Sequence, residues 1–321
     1  MKCILVKEVG SFSVTGRDIG SPSDDEVLLK VSIAGLCRTD LKIIRVGHRD
    51  LVLPRIPGEE VVGTVCAKGG KVKGVEPGQR VYVYPGKWCG VCDACVRGTE
   101  NLCEKMRIMG FHRDGGFAEY VLAPSQSLIV VPDSLSDDEA VFAEPLSCCL
   151  NALELGCVEP GKTVAIWGAG PAGTLLARAA KAHGAAASVI EPDKRRRDII
   201  GGHAVPPDKK YDICVVAVGA KNAYEEALAK LNPRGHLVVF SGLSRDTENL
   251  QVDFNLLHYK EQSIVGAYGC CYRHGVQALS LIGEGKIKVD DMVSHKYSMW
   301  DLEKALSVVE KRQGMKVLLH P

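Results

Sequence analysis

Thr163-Val164-Ala165-Ile166-Trp167-Gly168-Ala169-Gly170-Pro171-Ala172-Gly173 is the stretch on which the fold turns. Its first five residues form a short, almost wholly apolar run, the composition a strand needs when both faces of a parallel sheet are covered. The following GxGxxG string opens a helix. Gly168 permits the tight turn, Gly170 lets the backbone approach a pyrophosphate, and Gly173 lets the helix lie close to the strand. Such a string is weak evidence alone, but a buried strand before it and a helix after it supply the context that phosphate binding at a helix N-terminus demands. The helix reads from Pro171 to His183, with Ala172, Leu175, Leu176, Ala179 and Ala182 as its inward stripe. A second strand, Ala187–Glu191, places Glu191 about twenty positions on, where an acid binds the adenosine ribose. The dinucleotide-binding residues expected here are Gly168, Gly170, Pro171, Ala172, Gly173, Glu191 and Val218. Glu191 favours NAD over NADP because a carboxylate repels a 2′-phosphate, while Arg195–Arg197 just beyond it pull the other way.

Outward from this stretch the pattern stays alternating. Tyr211–Val218 and His236–Ser241 read as strands around a helix near Ala223–Leu231, which predicts a doubly wound parallel sheet over 148–267. The segment between Glu191 and Tyr211 is short for a helix, a strand and their links. Arg197–Gly202 has room for little more than a turn of helix, which would reduce one wall of an adenine pocket. Residues 1–147 differ. The runs Glu26–Ile33, Val61–Cys66, Arg80–Tyr84 and Phe117–Leu122 are punctuated by Gly and Pro, as in a small barrel or sandwich. Residues 268–321 carry helical stretches around Val276–Gly283 and Asp301–Lys311 and a last strand, Lys316–Leu319.

A length of 321 residues suits two domains. A formal net charge of +1 offers no field to draw nucleic acid or an anionic membrane, and Lys194–Arg197 reads as a solvated face. Met1–Gly10 has neither a basic leader nor an apolar core, and no run approaches the roughly eighteen apolar residues of a membrane span, so neither export nor membrane insertion is expected. Thirteen cysteines, an odd number in a long chain, fit reduced thiols and a cytoplasmic location better than a disulfide framework. Four of them, Cys89-x2-Cys92-x2-Cys95-x7-Cys103, can close a tetrahedral shell around Zn2+ with no open position, which makes a structural site. An iron–sulfur cluster is the rival, but nothing nearby suggests electron transfer.

Taken together, these motifs resemble the zinc-containing medium-chain dehydrogenase/reductase superfamily of alcohol dehydrogenases, particularly its sorbitol- and threonine-dehydrogenase-like members. The resemblance rests on Gly35-Leu36-Cys37-Arg38-Thr39-Asp40, Pro57-Gly58-Glu59-Glu60-Val61-Val62-Gly63 and Pro77-Gly78-Gln79-Arg80-Val81. The cysteine lobe, Asp114-Gly115-Gly116-Phe117-Ala118-Glu119-Tyr120, Ala143-Glu144-Pro145-Leu146 and the glycine loop continue it. It implies an α/β fold with a GroES-like β-rich catalytic domain (1–147), a Rossmann domain (148–267) and a C-terminal return to the catalytic domain (268–321). It further implies that Cys37 is a ligand of a catalytic zinc, that Thr39 accepts the substrate proton, and that Glu60 and Glu144 lie at or near the metal. Homo-oligomers joined through the nucleotide domains are also implied.

Two departures alter that picture. Where the family has Gly-His-Glu, this chain has Gly58-Glu59-Glu60, so a carboxylate replaces the histidine ligand and makes the donor set harder and more anionic. Lys42 stands where many relatives carry a relay histidine. His48, His112 and His258 lie in suggestive loops, but lone histidines are more often structural. The expected activity is hydride transfer between NAD(P) and a polar secondary alcohol, polyol or cyclitol, giving a ketone, with the metal at Cys37, Glu59 and Glu60 or Glu144 as Lewis acid. The rivals are a metal-free reductase, a non-redox enzyme with a tightly held nicotinamide, and a dinucleotide-binding protein whose catalytic site has decayed.

Overall fold

An antiparallel hairpin of β1 (Lys2–Leu5) and β2 (Ser13–Gly16) precedes β3 (Glu26–Leu36), whose side chains alternate in burial up to Ile33 and are buried from there on. Alternation of this kind marks a strand with one face on a core. The computed structural model describes residues 1–243 and 249–321. Around β3 assemble β4 (Glu60–Lys68), β5 (Arg80–Val83), β8 (Tyr120–Pro124) and β9 (Leu128–Val130), all antiparallel to their neighbours. A short ladder of β6 (Gly86–Lys87) and β7 (Arg107–Ile108) stands apart from them. The sheet order is β15-β16-β3-β4-β5-β9, with β8 also on β3, so β15 (Val293–Ser298) and β16 (Lys316–His320) from the far end of the chain complete it. Val27, Leu29, Val31, Val61, Val65, Val81, Phe117, Leu302, Leu306 and Leu319 meet in its core. Each such side chain contributes roughly 1.5–3 kcal/mol on full burial. The helices of this unit are α1 (Arg38–Arg45), α2 (Asp93–Val96), α3 (Asp137–Ala140), α9 (Tyr272–Gly283) and α10 (Leu302–Glu310).

The second unit spans Pro145–Cys270, and the first comprises Met1–Glu144 with Cys271–Pro321. Helix α4 (Ala143–Leu155) leads into β10 (Thr163–Trp167), α5 (Pro171–Ala182), β11 (Ala186–Ile190) and α6 (Lys194–Ile200). Then follow β12 (Tyr211–Val216), α7 (Lys221–Ala229), β13 (Leu231–Val239), α8 (Phe254–Lys260) and β14 (Ser263–Gly266). These strands are parallel in the order β11-β10-β12-β13-β14. The chain moves from β10 to β11 on one side and then crosses to β12 on the other. That reversal creates the switch point beside which such sheets bind ligands. The fold class read from the sequence therefore holds: a GroES-like β-rich unit and a Rossmann unit.

Several local expectations need correction. The strand expected at Phe117–Leu122 runs from Tyr120 to Pro124 instead, because Phe117 sits in a loop whose N–H reaches Pro57 O. The helix expected to reach Leu231 ends at Ala229, and Leu231 is buried at the start of β13. Ala182, assigned to the inward stripe of α5, is exposed, whereas Leu175, Leu176 and Ala179 are buried. Helix α6 has seven residues rather than about one turn, with Gly201 closing it in the left-handed region at φ 71°. Among the described residues no strand lies between it and β12. A single parallel bridge between Ile190 and His203 stands in its place, made by Glu191 N–H to His203 O at 2.9 Å and His203 N–H to Val189 O at 2.7 Å.

Candidate functional site

The glycine loop leaves β10 at Gly168, whose φ of +106° an L side chain rarely adopts. A Cβ on Gly173 would overlap the Gly168 carbonyl oxygen, so the third glycine is needed to close the loop on the helix. Gly170 is the N-cap of α5 and Pro171 occupies the first turn, where a missing N–H costs nothing. Glu191 follows the end of β11 and is buried. Its Oε2 accepts the Ala169 N–H at 2.9 Å and its Oε1 accepts the Asp193 N–H at 3.0 Å. The carboxylate thus lies against the loop. Val218 flanks the same turn, its Cβ 3.6 Å from where a Gly168 side chain would begin. Of the basic run, Arg195 pairs with Asp193 at 2.9 Å, which holds that carboxyl down at about 2, and Arg197 donates to the Glu191 and Pro192 carbonyls. Arg196 reaches back to the loop, its Nη1 3.4 Å from where a Gly170 side chain would begin.

At the end of β3, Cys37 caps the N-terminus of α1. The Cys37 thiol and the carboxylates of Asp40 and Glu59 present donor atoms within 4.8 Å of one another. Asp40 is fully buried. Its Oδ2 accepts the Cys37 N–H at 2.9 Å and its Oδ1 the Gly58 N–H at 3.1 Å, which fixes the Cys37 and Gly58 backbones to each other. Burial raises the Asp40 carboxyl to about 6 despite those hydrogen bonds. Burial, reinforced by the charges of Asp40, Glu60 and Glu59, pushes the Cys37 thiol well above its ordinary value. A buried thiol raised further by the carboxylates of Asp40, Glu60 and Glu59 sits in a crowd of anionic donors whose repulsion a cation would relieve. The residues therefore fit a divalent metal. Thr39 lies partly buried in the first turn of α1, two residues past Cys37, and Lys42 on the same helix is exposed.

Glu60, the neighbour of Glu59, does not join that group. Its carboxylate makes an ion pair with Lys316, each side chain only 3% exposed. The pairing follows from the sheet, in which β3 lies between β4 and β16 and Gly35 sits opposite both Glu60 and Leu318. A Cβ on Gly35 would overlap the Glu60 carboxylate, so the bare glycine opens the gap through which the two side chains meet over β3. Burial, the largest influence on Lys316, acts to lower its pKa. Glu60, the Cys37 sulfur and Glu144 together outweigh it, and the ammonium titrates above its ordinary value. Glu144 lies in the first turn of α4, outside the Cys37–Asp40–Glu59 group.

The four lobe sulfurs, Cys89, Cys92, Cys95 and Cys103, also lie within 4.8 Å of one another. Backbone N–H groups point at them, including Cys89 N–H and Lys105 N–H to Cys103 Sγ, each at 3.4 Å. The N–H groups of Val91 and Cys92 bring Cys89 down to about 6, while burial and the adjoining sulfurs drive Cys95 up to about 12. Crowded sulfurs with N–H support fit a closed tetrahedral metal shell.

Asp40 and Lys316 are functional candidates that the sequence reading passed over. The spacing Cys37-x-x-Asp40 is that of a capping box and could have revealed the first. A lone lysine heading the apolar strand Lys316–His320 was the available sign of the second. No helix among the described residues is long and apolar enough to cross a membrane.

Comparison with known proteins adds independent findings. The profile of the alcohol dehydrogenase GroES-like domain matches residues 23–133. The chain is 32% identical to an L-threonine 3-dehydrogenase of Pyrococcus horikoshii, over 94% of this chain and 92% of that protein. It is 29% identical to D-arabinitol dehydrogenase 1 of Uromyces fabae, over 100% of this chain and 97% of that one. Among solved structures, a protein assigned as a zinc-binding dehydrogenase of Sinorhizobium meliloti 1021, bound to NADP, superposes with a TM-score of 0.93 at 28% identity, covering 100% and 99% of the two chains. An alcohol dehydrogenase of Escherichia coli CFT073 complexed with NADH gives 0.92 at 28% identity and the same coverage.

Proposed function

Because this chain belongs to the zinc-type medium-chain dehydrogenase/reductase family, we propose that it oxidises a polar secondary alcohol, polyol or cyclitol to the ketone with NAD as hydride acceptor. The convergence of Cys37 and Glu59 carries this reading, since it puts a thiol and a carboxylate where a divalent cation can be held. When bound, the cation would polarise the alcohol oxygen as a Lewis acid and the nicotinamide would take the hydride. Cys37 and Glu59 hold the cation, and Glu144, which lies outside their group, reaches it only through water. The Thr39 hydroxyl accepts the alcohol proton and passes its own on towards solvent. Asp40 positions Cys37 through its backbone N–H. Lys316 balances Glu60, which keeps the site less anionic and so better able to lower the pKa of an alcohol. The lobe of Cys89, Cys92, Cys95 and Cys103 holds a structural Zn2+.

NAD is preferred to NADP for two reasons. Glu191 is fixed against the loop by the Ala169 and Asp193 N–H groups, and Arg195 and Arg197 are engaged by Asp193 and by backbone carbonyls rather than turned to a 2′-phosphate. We further place the protein in the cytoplasm, which suits thirteen unbridged cysteines. We also propose a homodimer built on the edge strand β14, near which Phe254, Tyr259 and Ile264 expose apolar surface. Light scattering that gave a monomer mass would remove that last element.

The test is turnover of NAD on a panel of polyols and cyclitols, together with a metal count. Two zinc ions per chain and ketone formation are expected. A single zinc with no turnover would favour a dinucleotide-binding protein whose catalytic site has decayed.

A further inference from the structure

We propose that Cys148 and Cys270 form a reversible redox pair whose oxidation to a disulfide weakens dinucleotide binding. All thirteen cysteines are unbridged. The lobe and Cys37 account for five of them, and most of the remainder are scattered. The sulfurs of Cys148 and Cys270, however, lie within 4.8 Å of each other, the first partly exposed and the second buried. Both belong to the Rossmann unit and flank the two places where the chain enters and leaves it. Cys148 comes four residues after Glu144, and Cys270 is the last residue before the return at Cys271.

The surroundings give the pair leverage on the dinucleotide loop. On α4, Asn151 Nδ2 donates to the carbonyls of Gly269 at 2.9 Å and Tyr268 at 3.5 Å, so this helix already grips the segment that carries Cys270. On the same helix, the Cys149 thiol donates to Ala172 O at 3.5 Å, in the first turn of α5 that follows the glycine loop. A disulfide needs its sulfurs at about 2.05 Å. Closing that distance draws the first turns of α4 towards residues 268–270 and strains the Cys149 contact with the helix that would present its N–H groups to a pyrophosphate.

The oxidant is a hydroperoxide. Cys148, the more accessible, attacks as the thiolate. An S–O bond forms, the O–O bond breaks, and hydroxide leaves to become water on protonation. The Cys270 sulfur then attacks Cys148. The S–S bond forms, the S–O bond breaks, and the departing hydroxide takes the thiol proton as a second water. Two thiols lose two electrons and two protons, and one peroxide becomes two waters. A reducing dithiol reverses the sequence.

The binding consequence rests on the dinucleotide part of the proposed function, whereas bond formation does not, and the experiment reads the two separately. Zinc-loaded, full-length protein is treated with hydrogen peroxide, alkylated with N-ethylmaleimide, digested and mapped by mass spectrometry, while NADH fluorescence titration follows binding. A Cys148–Cys270 cross-link is expected that dithiothreitol cleaves, persisting in Cys149→Ser and Cys271→Ser and absent in Cys148→Ser. NADH affinity should fall in proportion to the cross-linked fraction and return on reduction, with Cys148→Ser unaffected by peroxide. Oxidation of exposed Cys66 without any Cys148–Cys270 link would overturn the pair. A full cross-link with unchanged NADH affinity would overturn its effect on binding. Failure of the untreated, reduced protein to bind NADH would instead strike the dinucleotide reading.

Discussion

Replacing Lys316 with methionine keeps the length of the side chain and removes its charge, leaving Glu60 without its ion-pair partner in a place where both side chains are 3% exposed. Breaking a buried pair on one side costs about 3–5 kcal/mol, because the surviving charge has lost water and partner alike. The unit that carries it has roughly 200 residues, and for domains of that size each kcal/mol moves the midpoint by about 2–4 °C, so a fall of about 6–20 °C is expected. Changing Glu60 to leucine as well removes the stranded charge and should recover most of the loss. The assay is urea unfolding of the metal-loaded protein, with Trp167 changed to phenylalanine in every variant so that Trp88 and Trp300 report on the first unit. A Lys316→Met protein within about 1 kcal/mol of its parent would refute the argument. So would a double variant no more stable than the sum of the single effects.

Other expectations follow from the same geometry. Gly35→Ala should destabilise by a comparable amount, since its methyl group would occupy the space of the Glu60 carboxylate. A similar thermal midpoint to that of the parent in calorimetry would contradict this. Cys37→Ser should lose alcohol oxidation by on the order of a hundredfold or more while NADH affinity stays unchanged, and unchanged turnover would remove Cys37 from the chemistry. Glu191→Ala should weaken NAD binding by about ten- to a hundredfold through lost hydrogen bonds to a charged acceptor, narrowing the preference over NADP; equal loss for both cofactors would argue against a ribose contact. In the metal-free protein, Asp40 keeps its proton to about pH 6, whereas the unfolded chain releases it near 4. The folded state therefore binds more protons in that window, and stability should fall as pH rises through it, by up to about 3 kcal/mol. Asp40→Asn should flatten that slope in urea titrations at successive pH values.

What could be read from the chain was what local chemistry dictates. Gly168 to Gly173 lie between an apolar strand and a helix, and the required left-handed turn and close contact are properties of those few residues. The four lobe cysteines span fifteen positions, so their meeting needed little help from the rest of the molecule. Glu60 illustrates the opposite case. Its partner is 256 residues away, and their meeting depends on β16 lying beside β3 and on Gly35 leaving room. No periodicity in the sequence encodes such a coincidence. Residues 192–210 fall between these extremes. Their brevity was visible, but the compromise of a seven-residue helix and a single bridge at His203 depends on how far β11 can be extended without a further strand.

The measurement that bears most directly on the central claim is anomalous scattering at the zinc edge from crystals of the zinc-loaded protein with NAD. Two peaks per chain are predicted, one within the sulfurs of Cys89, Cys92, Cys95 and Cys103, the other between Cys37 and Glu59. A peak in the lobe alone, with nothing beside Cys37, would contradict the account and leave the proposed hydride transfer without its electrophile.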